Sequence, residues 1–333
     1  MDGFEVLTRL KADPATRDIP VIVISASNSL QSVVRGIQLG AEDYLPKPFE
    51  PVLLHARISS CLEKKRLRDL QQVYLKSLER EMEIGREIQQ GFLPAALPEI
   101  EGWEIAAYLQ AAHEVAGDFY DAFTLSDGSL ACVVGDVCGK GVGAALFMTL
   151  FRSLIRAAST GLGFFGGGKL DELPRAAWMG LILDFINLYI AETHSNMNMF
   201  ATLFYGIFNP RDGVLTYANC GNFPPVILGQ EGILGELRPT GPVIGMIAEA
   251  QFAVKQITLE PGQLLLAYTD GIPDALDEQQ QPFEDERLRL LLAEGSSSAA
   301  ELVEKIKSRL RQFTGNAEQF DDITLLAVRR QPA

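Results

Sequence analysis

Residues 116–141 constrain this chain more than any other stretch. They read Ala-Gly-Asp-Phe-Tyr-Asp over 116–121, Asp127-Gly128 as a turn dipeptide, a run of strand formers over 130–134, and Gly-Asp-Val-Cys-Gly-Lys-Gly over 135–141. Asp-Gly between two such runs predicts an antiparallel hairpin. Its strands deliver Asp118 and Asp136 near one end of a sheet. Glycines flank both, so another group can approach the backbone closely. Two carboxylates forced together repel, and a proton or a cation relieves the repulsion.

Aspartates recur in the same setting further on. Residues 264–268 run into Thr269-Asp270-Gly271, and Phe320-Asp321-Asp322-Ile323-Thr324 leads into a last strand. Asp118, Asp136, Asp270 and Asp321 therefore each stand where a strand meets a loop. Oxygen ligation without His or Cys suits a hard cation, magnesium or manganese. Two such ions can activate one water and hold a phosphoryl oxygen. Asp127 and Asp212 read as turn residues. His55, His113 and His194 lack ligand spacing and receive no catalytic role.

Around these points the sequence predicts strands over 105–110, 200–208, 214–219, 225–228, 252–259, 263–269 and 323–328. Helices are expected over 142–158, 173–192, 284–293 and 299–313, with a flexible glycine-rich loop over 161–168. Mostly antiparallel strands with helices inserted in pairs give an α+β fold of two packed sheets flanked by helices.

The first part of the chain has a different grammar. Phe4, Val6, Leu7 and Leu10 sit at helical spacing before Asp13-Pro14. Residues 19–25 form a nearly unbroken β-branched run, as in a strand covered on both faces. A helix over 30–39 ends at Gly40, and a short strand over 43–45 precedes Lys47-Pro48. Alternating helix and strand predicts a parallel, doubly wound sheet. From 52 to 92 there is no proline, and Leu67, Leu70, Tyr74, Leu78, Met82, Gly85, Ile88 and Phe92 trace a stripe. The stripe fits an amphipathic helix packed on its own domain, or a coiled coil joining two copies of the chain. We read it as the second. The domains expected are 1–60, a helical linker over 61–92, and 93–330.

A chain of 333 residues is too long for one compact domain. Its formal net charge of −14 opposes binding to nucleic acid, which needs clustered Lys and Arg. Cys61, Cys132, Cys138 and Cys220 lie far apart and read as reduced thiols. The start lacks the pattern of a signal peptide. The most apolar stretch, 142–155, is interrupted by Arg152 and too short to span a bilayer. The expectation is a soluble, cytoplasmic protein with no membrane partner.

Residues 84–330 resemble the metal-dependent serine/threonine protein phosphatases of the type 2C superfamily, in the bacterial branch typified by the stage II sporulation phosphatase. The matching segments are 116–121, 135–141, Phe-Ala-Thr-Leu-Phe-Tyr-Gly over 200–206, Tyr-Thr-Asp-Gly over 268–271 and Asp-Asp-Ile-Thr over 321–324. The resemblance implies that Asp118, Asp136, Asp270 and Asp321 carry the chemistry with two divalent cations, Mn²⁺ or Mg²⁺. Asp136 would bridge both ions, and the Val137 carbonyl would be a further ligand. Asp322 would act one layer behind the ligands. The implied reaction is attack of an activated water on the phosphorus of a phosphoserine or phosphothreonine. The implied substrate is a partner-switching protein such as an anti-sigma-factor antagonist. The rival is a non-catalytic module that binds a partner. Asn222 stands where the family commonly has a histidine, which removes that proton donor. Lys140 is a candidate phosphate contact, but we read it first as a solvated loop lysine.

Residues 1–60 resemble the second half of a two-component receiver domain, through Met-Asp-Gly at 1–3, Ser25-Ala26 and Lys47-Pro48. The family's acidic pair and acceptor aspartate would precede Met1. The expectation is therefore that this chain is not phosphorylated by the receiver mechanism.

Overall fold

Capping chemistry sets the first element of the computed structural model, which describes residues 2–26, 29–160, 173–230 and 232–332. The Asp2 carboxylate accepts from the Glu5 amide, and Glu5 accepts in return from the Asp2 amide. This reciprocal box opens α1 (Gly3–Ala12). Then come β1 (Ile22–Ser25), α2 (Leu30–Gln38) and β2 (Asp43–Pro46), with β1 and β2 parallel. The Lys47–Pro48 peptide is cis. The run over 19–25 is not covered on both faces as expected. Ile19 is 51% and Ile24 38% exposed. A sheet of two short strands has too little surface around it to enclose both sides. The glycine-rich loop expected over 161–168 lies outside the described residues.

The chain divides into two compact units, Met1–Glu81 and Met82–Ala333. The division falls inside α3 (Pro51–Phe92), a helix of 42 residues. In the first unit, Arg57 and Arg68 of this helix pair with Asp43 and Glu42.

Two five-stranded antiparallel sheets make up the second unit. One has the order β10-β7-β6-β5-β4 and the other β3-β12-β11-β8-β9. The first comprises β4 (Asp118–Thr124), β5 (Leu130–Val137), β6 (Ala201–Phe208), β7 (Val214–Cys220) and β10 (Lys255–Thr258). The second comprises β3 (Trp103–Gln110), β8 (Val226–Gly229), β9 (Gly232–Glu236), β11 (Leu264–Tyr268) and β12 (Ile323–Arg330). The short β9 carries two glycines and little strand signal, and the sequence reading passed over it.

Side-chain alternation sorts the strands into layers. Along β5, Ala131 and Val133 face one core, while Cys132 and Val134 face another. The second of these lies between the sheets, where Phe204, Phe208 and Leu215 meet Leu265, Leu326 and Val328. The outer face of the first sheet is covered by α4 (Val142–Ser159) and α5 (Arg175–Thr193). The outer face of the second is covered by α6 (Glu284–Ala293) and α7 (Ala299–Thr314). Apolar α4 is a core helix, with Ala144, Met148, Phe151 and Ile155 buried. The result is the expected pair of packed sheets flanked by helices.

A buried ion cluster fixes α4 on β4. Asp121 is 1% exposed and takes Arg152 at 3.1 Å and Arg156 at 2.9 Å. Arg156 also stacks over Phe123, its guanidinium carbon 4.7 Å from the ring centre. Arg152 is almost as buried as its partner. Removing the carboxylate would strand a buried cation, which costs about 3–5 kcal/mol. Asp121→Ala is therefore expected to lower unfolding stability by about that amount in urea titration. A loss under about 1 kcal/mol would mean the cluster is solvated in solution.

Candidate metal centre

The hairpin register places the first two carboxylates face to face. In the β4–β5 ladder Asp118 is the direct partner of Asp136. Beyond Asp136, the Val137 carbonyl lies against Gly117. A Cβ at Gly117 would sit 3.0 Å from that oxygen and 3.2 Å from Ala144 Cβ, so only glycine fits there without displacement. Gly139 and Gly141 have φ of 92° and 74°, a conformation that disfavours side chains and turns the chain directly into α4.

The other sheet supplies the remaining acids at the same end. The Thr269 hydroxyl, just after β11, donates to Asp118 at 2.6 Å and accepts from the Thr324 amide at 3.1 Å. Asp118 is thereby held across the gap between sheets. Asp270 follows, and Gly271 then presses on the opposite segment. A Cβ there would fall 1.8 Å from the Asp322 carbonyl. That contact keeps Asp270 beside Asp321. Asp322 itself points away from solvent and accepts from the amides of Ala112, Gly117 and Asp118 at 2.7, 2.7 and 3.3 Å. It is the clamp that holds the entry to β4 against β12.

These contacts crowd like charges. Burial, and then the Asp136 charge, hold the Asp118 carboxyl well above its ordinary range; the Thr269 hydroxyl opposes this. Burial, followed by the charges of Asp270 and Asp321, pushes Asp136 up to about 7. Burial, then Asp321 and Asp274, raise Asp270. Each acid thus feels its neighbours, and a divalent cation would relieve all of them. Among the described residues no three His, Cys, Asp or Glu side chains converge on one ion position. The donor set still fits hard cations that keep most of their waters and take only one or two carboxylates each. Asp118, Asp136, Asp270, Asp321 and the Val137 carbonyl are the groups that would hold them.

Several neighbours escaped the sequence reading. Thr269 lies inside the Tyr-Thr-Asp-Gly segment but was given no role, and the exposed Asp274 carries no motif, although it follows Asp270 by four residues. Thr324 is buried with its hydroxyl near Asp118 yet outside hydrogen-bond geometry. Gln89, near the end of α3, exchanges two hydrogen bonds with the Ala116 backbone, at 2.7 and 2.9 Å. One glutamine in a charged helix gives no signal of that role. Lys140 is not a free loop lysine. Its Nζ lies 3.1 Å from Asp321, donates to the Phe320 carbonyl and sits 4.5 Å from the centre of the Phe320 ring. Asn222 is buried, and its amide donates to the carbonyls of Phe223 and Tyr268. It pegs the end of β11 in place.

The comparisons with known proteins agree with this architecture. Residues 126–331 match the family Stage II sporulation protein E (SpoIIE), and residues 1–59 match the response regulator receiver domain. Protein IcfG of Synechocystis sp. is 42% identical over 263 residues, which is 75% of this chain and 41% of IcfG. The chain thus spans less than half the length of that relative. Phosphoserine phosphatase RsbU of Bacillus subtilis is 28% identical over 271 residues, covering 81% of this chain and 74% of RsbU. Among solved structures, the SiaA-PP2C domain of Pseudomonas aeruginosa has a TM-score of 0.61 at 22% identity, covering 77% of this chain and 98% of that domain. At that identity the likeness concerns the fold.

The crowding has a measurable sign. Folded Asp136 releases its proton near 7 instead of near the ordinary 3.8, so between those values the folded state binds more protons than the unfolded. Without divalent cations, this group's contribution is full below the unfolded value and is lost as pH rises toward 7. Chelated protein should therefore unfold at lower urea as pH is raised from about 4 to about 8, and saturating Mn²⁺ should cancel that trend. A chelated protein that gains stability over that interval would contradict the crowding.

Proposed function

The chain belongs to the stage II sporulation protein E family, and on that premise we propose that it is a metal-dependent protein serine/threonine phosphatase. The observation that carries this reading is the crowding of Asp118, Asp136, Asp270 and Asp321, drawn from two sheets to one end. Two divalent cations bound there, Mn²⁺ or Mg²⁺, would lower the pKa of a water and neutralise charge on a phosphoryl group. Asp136 feels the charges of Asp270 and Asp321 and is hydrogen-bonded with Asp118, which supports it as the carboxylate that would serve both ions. Thr269 orients Asp118 from below, and the Asp322 clamp keeps the two sheets in register. Asn222 carries no acidic proton, so the departing serine or threonine oxygen takes its proton from another source.

The name of RsbU, a phosphoserine phosphatase, favours phosphoserine on a protein as the substrate here. We place that substrate among partner-switching phosphoproteins, such as an anti-sigma-factor antagonist, and the receiver-like first unit in a two-component-linked pathway. The exposed Leu67, Leu70 and Tyr74 of α3 support a homodimer through that helix.

Phosphate release from a phosphoprotein should require Mn²⁺ or Mg²⁺, and Asp270→Asn should lower it by more than roughly 100-fold. An unchanged rate in that variant would refute the assignment. Light scattering should give twice the chain mass, and Leu70→Glu with Tyr74→Glu should return it to one; a monomeric parent chain would remove the helix pairing.

A further inference from the structure

A cavity of about 220 Å³ adjoins the acidic end, and its wall includes Gly271 and Asp321 themselves. On the opposite side α7 lines it with Lys307 and Arg311. Four residues apart on a helix, these two share a face. The third wall is Tyr108 and Gln110 of β3. The Tyr108 hydroxyl bonds Gln110, Gln110 bonds Gln319, and Gln319 donates to the carbonyls of Gln110 and Asp321 at 2.9 and 2.8 Å. This chain of bonds ties the wall to the backbone of a proposed metal ligand. The floor is apolar, with Leu310 and Ile323.

Positive and negative groups meet at this cavity: Lys307 and Arg311 line it together with Asp321, and Glu278 borders it at Gly315. Formal net charge is −14, which repels an acidic partner at a distance and leaves recognition to local contacts. Lys307 lies 4.5 Å from the centre of the Tyr108 ring and pairs with the exposed Glu304. Arg311 is exposed, and among the described residues no carboxylate pairs with it. An exposed, unpaired arginine beside such a cavity is suited to a carboxylate, which its planar fork can grip with two hydrogen bonds.

We propose that this cavity is a specificity subsite that receives an acidic side chain, Asp or Glu, of the phosphoprotein. The proposal rests on the phosphatase reading. Arg311 meets the incoming carboxylate, Lys307 adds positive charge, and the apolar floor takes the aliphatic stem. An extended chain advances roughly 3.3–3.6 Å per residue, so an acid within a few residues of the phosphoserine reaches the cavity while the phosphate lies beside Asp321. A lysine at that place would face two like charges.

The test uses the full chain with Mn²⁺ and two fluorescent phosphoserine peptides, identical except for Glu or Lys flanking the phosphoserine. Fluorescence anisotropy should give roughly tenfold tighter binding of the Glu peptide. Arg311→Gln should narrow that ratio, and Lys307→Glu with Arg311→Glu should reverse it. General damage to folding weakens both peptides together and leaves their order alone. Equal affinities in the parent chain, or an order unchanged in the double variant, would overturn the subsite. Phosphate release is scored separately. Its absence from both peptides would sink the phosphatase reading, while the affinity order would still decide the subsite.

Discussion

Burying like charges against each other is the constraint around which the second unit is built. Asp118 and Asp136 are ladder partners, and Asp118 is almost fully enclosed. An isolated carboxylate in such a place is costly unless hydrogen bonds or counter-charge offset it. Thr269 supplies one hydrogen bond to Asp118. Asp322 is buried behind it and takes three backbone amides, which makes it a fastener between strands. What remains is a set of acids with raised proton affinity, a combination associated with functional sites. The divalent cations of the proposed reaction would provide the missing counter-charge.

Such a centre demands precise placement of two sheets relative to each other. The interior core of Phe204, Phe208, Leu326 and Val328 sets their separation. At the acidic end, close backbone contacts finish the job: Gly117 lies tightly against Val137, and Gly271 lies too near Asp322 for any side chain. The outer helices are fixed by buried polar groups as well as by apolar packing. Asp121 ties α4 to β4, and Asn187 of α5 bonds the backbone of Gly245, Ile247 and Ala248. Buried, satisfied polar groups favour one arrangement of packed layers over neighbouring ones.

The acidic end is framed on one side by positive charge. Lys140 leans on Asp321 and Phe320, and α7 brings Lys307 and Arg311 to the adjoining cavity. In a strongly acidic chain this placement separates two tasks. The carboxylates suit the cations needed for phosphoryl chemistry, while the basic face suits the acidic surroundings of a substrate.

The layer architecture was legible in the residues, because mostly antiparallel strand signals with helices inserted in pairs fit two packed sheets flanked by helices. So was the hairpin, since Asp127-Gly128 leaves the intervening chain few other turns. The short β9 and the trimmed β10 were not, because pairing with a neighbour defines them more than their own composition. The two-sided cover expected for residues 19–25 failed for a related reason. A β-branched run says that a strand is favoured there, while its enclosure depends on what packs around it. At the acidic end, sequence alone marked Asp118, Asp136, Asp270 and Asp321 as strand-end residues. Thr269 and Lys140 lie inside the motifs, but their contacts to Asp118 and Asp321 did not show there, and Gln89 and Lys307 carry no local signature, since each of the four meets a residue distant in the chain. Local pattern determined which segments become strands and where their acids fall; only the packing of two sheets decided which of those acids share one field and what stands behind them.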